Sequence, residues 1–349
     1  MSKARGLADL GNVYDDGALS NRRINHNGDM RVAQRGTASV TPTSSASLYP
    51  VDRWGAYAQP SSKYSAQQQT GGPAGFDNYV RFTSLSNHTS VSTDFFPFFT
   101  NLEGQDVQHL QYGSSDAKDV TLSFWVRSSL TGNFSVSFRA QGATVSYIAT
   151  YTISASNTWE YKTVTVAGNT STSIDNDNTL GFDINFDLGH GSNSENIANT
   201  WIAGSQNRVA GTVRLVETNG ATLDITGVQL EVGDTATPFE HRSFGDELAR
   251  CKRYYEHVGA SSNTEYTFKL QAAVEGENIS ACQIGYLVEK RAAPTLSLGT
   301  LQAYHVGLGG WTTTNLSVYN HGKRNLTVYK SSDTSPRLLR GYAIADAEI

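Results

Sequence analysis

The chain has 349 residues and a net charge of −5, so it carries no electrostatic footprint for nucleic acid, and no stretch approaches the roughly 20 apolar residues that span a bilayer. Only 17% of residues are charged, against a usual value of about 25%, and Gly, Ser, Thr, Asn, Tyr and Phe take their place. That composition favours strands and turns over helices, and the length suits two β domains with a short terminal arm.

Residues 1–23 carry several charges (Arg5, Asp9, Asp15, Asp16, Arg22, Arg23) and no sustained periodicity. This is an arm that cannot bury a core of its own; it either stays disordered or is ordered by a partner. Its basic start lacks the apolar h-region of a signal peptide. Synthesis in a reducing cytosol is therefore expected, with Cys251 and Cys282 as buried thiols; a single bridge between them is the alternative.

From residue 24 to 242 the pattern is of strands separated by turn clusters, the first domain. Phe95-Phe96-Pro97-Phe98-Phe99 is an aromatic cluster in which Pro97 disfavours a central strand. That leaves a core plug, a subunit contact or an exposed patch. Val120, Leu122, Phe124 and Val126 alternate with polar residues, and after a turn at Gly132-Asn133 so do Phe134, Val136 and Phe138. The two segments read as neighbouring antiparallel strands. Further strands are expected at 145–153, 161–166 and 211–216. Between two glycines, Phe182, Ile184, Phe186 and Leu188 share one face, and Asp183, Asn185 and Asp187 share the other, the pattern of a half-buried strand. In 223–232 the apolar phase changes at Gly227, where a β-bulge restores the inward direction. Sheets with one apolar face must stack to hide it, which predicts a β-sandwich, most simply a jelly roll.

Residues 243–257 form a short helix or linker. Leu248, Cys251 and Tyr255 recur at helical spacing; the competing reading begins the next domain with a strand at 253–258. Strands then resume, at 265–274, 279–290, 295–301, 316–319, 325–329 and 338–345, as a smaller C-terminal β-sandwich domain, 258–349. A domain of this size buries proportionally little surface, so self-association would supply the missing burial.

Two clusters of residues carry a family resemblance. Ile24-Asn25-His26-Asn27-Gly28-Asp29-Met30-Arg31-Val32-Ala33-Gln34-Arg35-Gly36, followed by Asp52-Arg53-Trp54, resembles the opening of a jelly-roll module common in bacteriophage tail and tail-fibre proteins; it departs from the family at Asn25-His26-Asn27-Gly28, where the Asn-Gly is split. The run from Leu223 to Glu240, ending Ala236-Thr237-Pro238-Phe239-Glu240, resembles the module's close. Glu247-Leu248-Ala249-Arg250-Cys251-Lys252-Arg253-Tyr254-Tyr255, Arg291-Ala292-Ala293-Pro294-Thr295 and the terminal Ala345-Asp346-Ala347-Glu348-Ile349 are similar to the C-terminal domain that follows it. The resemblance implies an all-β architecture with a carbohydrate-binding-module-like, galactose-binding-like first domain, a homotrimeric fibre or tip, a place in the virion, and attachment to other tail proteins through residues 1–23. It does not by itself imply sugar binding, because many such modules serve only as architecture.

A glycan site needs flat aromatic faces and polar groups for the hydroxyls. Trp125 is the leading candidate, since it falls on the polar side of its strand with Arg127 beside it; the alternative places it under a loop or in an interface. Asp183, Asn185 and Asp187 present hydroxyl-binding groups if their face is solvated. Asp-x-Asn-x-Asp hints at calcium, but same-face strand residues lie roughly 7 Å apart, too far to grip one ion at about 2.4 Å. A structural calcium of the kind such jelly rolls carry therefore has no residues assigned to it, and no other cofactor or metal ligand set is expected. Trp311 follows Gly307-Leu308-Gly309-Gly310 and is read as an aromatic on a glycine-rich loop, a candidate receptor contact. No catalytic fingerprint is present. The expected function is a non-enzymatic tail-fibre or tip subunit that binds a host-surface glycan or receptor. A purely structural virion component and a glycan depolymerase are the alternatives.

Overall fold

The computed structural model describes residues 22–258, 270–271, 273–275, 279–299, 302–305, 310–313, 317–330, 337–340 and 342–349; residues 1–21 of the arm lie outside them. The chain divides into two compact units, the first ending at Ser243 and the second beginning at Phe244.

The strands of the first unit are β1 (Leu48–Val51), β2 (Trp54–Ala56), β3 (Tyr64–Thr70), β4 (Asn78–Ser84), β5 (Pro97–Glu103), β6 (Val120–Ser128), β7 (Gly132–Ala140), β8 (Val145–Ile153), β9 (Glu160–Val166), β10 (Leu180–Asp187), β11 (Trp201–Ala203) and β12 (Thr222–Val232). They form a seven-stranded sheet, β1-β2-β5-β10-β7-β8-β11, and a five-stranded sheet, β3-β4-β12-β6-β9. The chain crosses repeatedly between the two, as from β4 to β5, β5 to β6 and β6 to β7, which makes the unit a jelly-roll sandwich.

Alternation is what closes it. Phe182, Ile184 and Phe186 of β10, with Leu188 just beyond, are fully buried, as are Val120, Leu122, Phe124 and Val126 of β6. The sheets meet ring to ring: Phe124 packs on Phe186 at 5.1 Å and Phe82 on Phe98 at 4.6 Å. Trp54 stacks on Phe98, and its indole N–H, which must find an acceptor once buried, donates to the carbonyls of His26 and Asn27 at 3.1 Å.

The residues that carry the family resemblance form a clasp between the two ends of this unit. The Asn25 side chain donates to the Val228 carbonyl and accepts from the Leu230 N–H, and Val228 N–H donates to Gly28. A Cβ on Gly28 would stand 1.9 Å from the Val228 oxygen, so only glycine allows the approach. Glu240 accepts from the Arg23 N–H, and the Arg23 guanidinium lies over the Phe239 ring. The bulge expected at Gly227 is present. Thr226 pairs with Trp125 and Gln229 with Ser123, so β12 carries one extra residue there; Leu223, Ile225, Val228 and Leu230 all face inward in consequence.

Two strand expectations in the first unit are corrected. Residues 211–216 are not a strand: the segment is irregular and tightens into a 3-10 turn at Leu215–Glu217, Leu215 and Val216 being anchors beneath it. The aromatic run enters a central strand despite Pro97. The proline takes the first position of β5, where a missing N–H costs least, and Phe96 and Phe98 are core residues.

The second unit opens with helix α1 (Phe244–Lys252) followed by a strand at Tyr255–Val258, so each of the two competing readings describes half of 243–258. That strand pairs with Ala343–Asp346, which also pairs with Thr295–Leu298. Two further antiparallel sheets have four strands each. Cys251 is buried. Residues 265–269 lie outside the described residues, and Leu338 and Ala345 fall in two strands (Arg337–Arg340 and Ala343–Asp346) rather than one. Among the described residues no helix is long and apolar enough to cross a membrane.

Trp54→Ala should cost roughly 3–5 kcal/mol, measured by denaturant titration. Gly227 has φ +61°, and an added Cβ would stand 2.8 Å from the Phe76 ring and 3.0 Å from Trp125. Gly227→Val should therefore cost about 2 kcal/mol or more, where a comparable change at solvent-facing Gly245, with nothing within 4 Å, should cost less.

Candidate functional site

Each sheet has an outer face as well as a core face, and the two outer faces differ. On the seven-stranded sheet, Asp183, Asn185 and Asp187 are 0%, 1% and 1% exposed. They are not a solvated, hydroxyl-binding face, because residues 188–217 fold across them. Both Asp183 oxygens accept from the Arg139 Nε at 3.0 Å, and Asn185 donates to Asp183. Asp187 accepts from the Gly189 and His190 N–H groups and meets the His190 ring at 2.6 Å. Ser137 and Ser135 reach up to Asn207 and Thr212. Arg208, fully buried, donates to the carbonyls of His190 and Thr212 at 2.7 Å. Burial alone would raise the Asp187 pKa, but the charge and hydrogen bond of His190 and the charge of Arg208 hold it below the ordinary carboxylate value. Three of the expected ligand residues are thus structural. Among the described residues no group of three or more His, Cys, Asp or Glu is placed to hold a metal.

The five-stranded sheet keeps part of its outer face open. Strand register sets Trp125 between Thr226 and Tyr161, and sets Asp224 between Arg81 and Arg127. The result is two adjacent cross-strand rows, one aromatic and one charged. Trp125 and Tyr161 lie 5.4 Å apart between ring centroids, and Tyr161 is 44% exposed. In the charged row, Asp224 is buried, accepting from Arg81 Nε and Nη2 at 2.8 and 2.9 Å and from Arg127 Nε at 2.8 Å, with Arg127 Nη2 in ion-pair contact at 2.7 Å. The Asp224 hydrogen bond outweighs partial burial and raises the Arg81 pKa. Arg127 also lies over the Trp159 ring at 4.6 Å and the Tyr79 ring at 5.3 Å.

The turn after β12 supplies a wall. Glu231 accepts from the Thr237 N–H and hydroxyl, and Gln229 accepts from the Glu240 N–H. These bonds fold residues 233–242 back over the sheet and set Phe239 against Phe76 at 4.9 Å and His241 at 4.8 Å. Between this wall and the Trp125–Tyr161 pair is an open pocket of about 680 Å³, floored at the Gly227 bulge and rimmed by Ala74, Gly75 and Pro238. An open, aromatic-walled pocket beside fixed polar groups is the usual form of a small-ligand site.

Trp125 and Arg127 therefore stand together on one surface, as their strand phase implies. Trp311 does not lie on a loop: its backbone is in the strand Gly310–Thr313, opposite Tyr304. The side chain of Trp311, and residues 307–309, fall outside the described residues. Sequence reasoning passed over Tyr161, Phe239 and His241. For Tyr161 a signal existed, since it alternates with Thr163 and Thr165 on the face opposite Val164 and Val166. Phe239 and His241 had none, because the wall depends on how the chain returns.

No family model matches the chain, and no curated protein matches it. Similar solved structures include a family 4 carbohydrate-binding module, at 15% identity over 60% of this chain and 99% of that one, with a TM-score of 0.32. A family 11 carbohydrate-binding module of Clostridium thermocellum, in complex with a mixed-linked tetrasaccharide, matches at 11% identity over 59% of this chain and 99% of that one, with a TM-score of 0.28. The enzymatically active domain of bacteriophage CBA120 tailspike protein 4 matches at 10% identity over 60% of this chain, with a TM-score of 0.28; the match spans 21% of that chain.

The lowered pKa of Asp187 fixes the direction of an acid effect. Stability from this carboxylate is present above its unfolded value, near pH 4, and is lost as pH falls through the lower folded value. Asp187→Asn should cost about 3 kcal/mol at neutral pH by leaving buried Arg208 without its counter-charge. In thermal melts the gap between variant and parent should narrow steadily below about pH 4.

Proposed function

We propose that the protein is a non-catalytic, glycan-binding subunit of a bacteriophage tail fibre or tip, and that the Trp125–Tyr161 face is where the glycan sits. The observation that carries the reading is an aromatic pair, Tyr161 exposed and Trp125 half-buried, set side by side by cross-strand register at an open aromatic-walled pocket. Rigid ring faces stack on sugar C–H groups at little cost in conformational entropy. The virion setting rests on the resemblance carried by residues 24–54 and 223–240.

The carboxylates at this face support a binding role over a hydrolytic one. Glycosidases need one protonated carboxylic acid with a raised pKa. Asp224 is tied to two guanidiniums. Glu160 has its pKa lowered, first by the hydrogen bond from Lys162 and then by backbone N–H groups, so it remains ionised. One observation favours the purely structural reading: the opening run of the family motif serves internal architecture, Asn25 and Gly28 bonding to β12 and the carbonyls of His26 and Asn27 accepting from Trp54.

A trimer would multiply weak sites by avidity. Sedimentation equilibrium should give three times the mass of one chain; a monomer at micromolar concentration contradicts the trimeric part of the reading. Trp125→Ala and Tyr161→Ala should each weaken binding to host-envelope polysaccharide at least about tenfold, with the melting temperature close to the parent's. Unchanged binding in both variants moves the glycan site elsewhere, and no binding by the parent favours a structural role.

A further inference from the structure

The charged row beside Trp125 has a feature that a neutral-sugar platform does not require. Asp224 sits on the central strand of its sheet and is 1% exposed. It receives the Nε–Nη2 edge of two guanidiniums, one from β4 and one from β6. One negative charge thus fixes two positive ones, and the cluster keeps a net charge of +1. The only other ion pair at this edge of the sheet among the described residues, Glu160 with Lys162, cancels itself.

The geometry also leaves donors over. Each arginine spends one edge of its fork on Asp224, and no protein acceptor among the described residues takes the Nη1 groups. The Arg81 side chain is 36% exposed and that of Arg127 22%, so the remaining edges meet solvent at the surface. Both guanidiniums are held in place, Arg127 by its stacking on Trp159 and Tyr79 as well as by Asp224. A guanidinium edge matches the two oxygens of a carboxylate, and fixing it in advance removes most of the ordering cost of binding. Same-face rows are roughly 7 Å apart along a strand, within reach of a carboxylate on the stacked sugar or on its neighbour.

We propose that this face selects an acidic glycan, one whose sugar ring stacks at Trp125 and Tyr161 while a carboxylate on the same or the next sugar is taken by Arg81 and Arg127. The inference rests on the glycan-binding reading above and deepens it by naming the substrate class. Asp224 is then a positioning residue for the two arginines rather than a ligand contact.

The test uses the full chain and two acidic polymers, polygalacturonate and polysialic acid, each beside its carboxyl-reduced counterpart. Reduction replaces the carboxylate with a hydroxymethyl group and leaves the rings to stack. Acid forms should bind at least about tenfold more tightly than reduced forms, and the difference should shrink at high salt. Arg81→Gln and Arg127→Gln should abolish the preference while leaving the weaker binding to reduced polymer in place, whereas Tyr161→Ala should weaken both. Equal binding of acid and reduced forms overturns the acidic-glycan inference and leaves the glycan site standing. Failure of every polymer, acidic or reduced, to bind overturns the glycan site and the inference with it. Because the comparison of acid with reduced polymer needs only the unaltered protein, it decides the matter even if an arginine variant does not fold.

Discussion

The whole architecture depends on one constraint: a strand has two sides, and a sandwich hides only one of them. Phe82, Phe98, Phe124 and Phe186 interlock between the sheets, and that contact fixes the phase of every strand that joins it. Once the phase is fixed, the residues between the aromatics are driven outward, whatever their chemistry. The bulge at Gly227 keeps β12 in phase along its length, and its one extra residue turns Val228 inward beside the clasp with Gly28. The two ends of the first unit are joined at the strand that also forms the floor of the open pocket.

What covers the outward residues then decides where chemistry is available. On the seven-stranded sheet the cover is polar and close. Arg139 compensates Asp183, Arg208 and His190 both face Asp187, and Ser135 and Ser137 bond upward to Thr212 and Asn207. Removing water from charged groups is costly unless each finds a partner; Asp187 Oδ2 and Arg208 Nε, buried without a hydrogen bond, offset part of that cost only as an ion pair at 3.7 Å. On the five-stranded sheet the cover is partial. Residues 233–242 fold back over Gln229 and Glu231 and stop, leaving Trp125, Tyr161 and the two arginines at an open edge.

Much of this could be read from the residues in order. Alternation in 120–126 and 182–188 located the core strands, the phase change at Gly227 located the bulge, and the phase of Trp125 and Arg127 put both on the correct surface. Alternation says only which side a residue is on. It carries no information about what lies across that side, which is why Asp183, Asn185 and Asp187 looked solvated when they are sealed. The apolar spacing of Val213 and Leu215 imitates a strand because anchors under a covering loop need the same inward direction. Pro97 misled for a related reason, since the rule against proline in central strands relaxes at a strand's first residue. The pairing of Arg81 and Arg127 through Asp224 joins residues up to 143 positions apart, and only strand order brings them together.

The most direct measurement is hydrogen–deuterium exchange of the full chain with and without purified host-envelope polysaccharide. Slowed exchange is expected at 74–79, 159–163 and 226–241, with 188–217 and the strands beneath it unchanged. Protection confined to 188–217 or to residues beyond 243, with the open face of the five-stranded sheet unaffected, would contradict the assignment of that face as the contact surface.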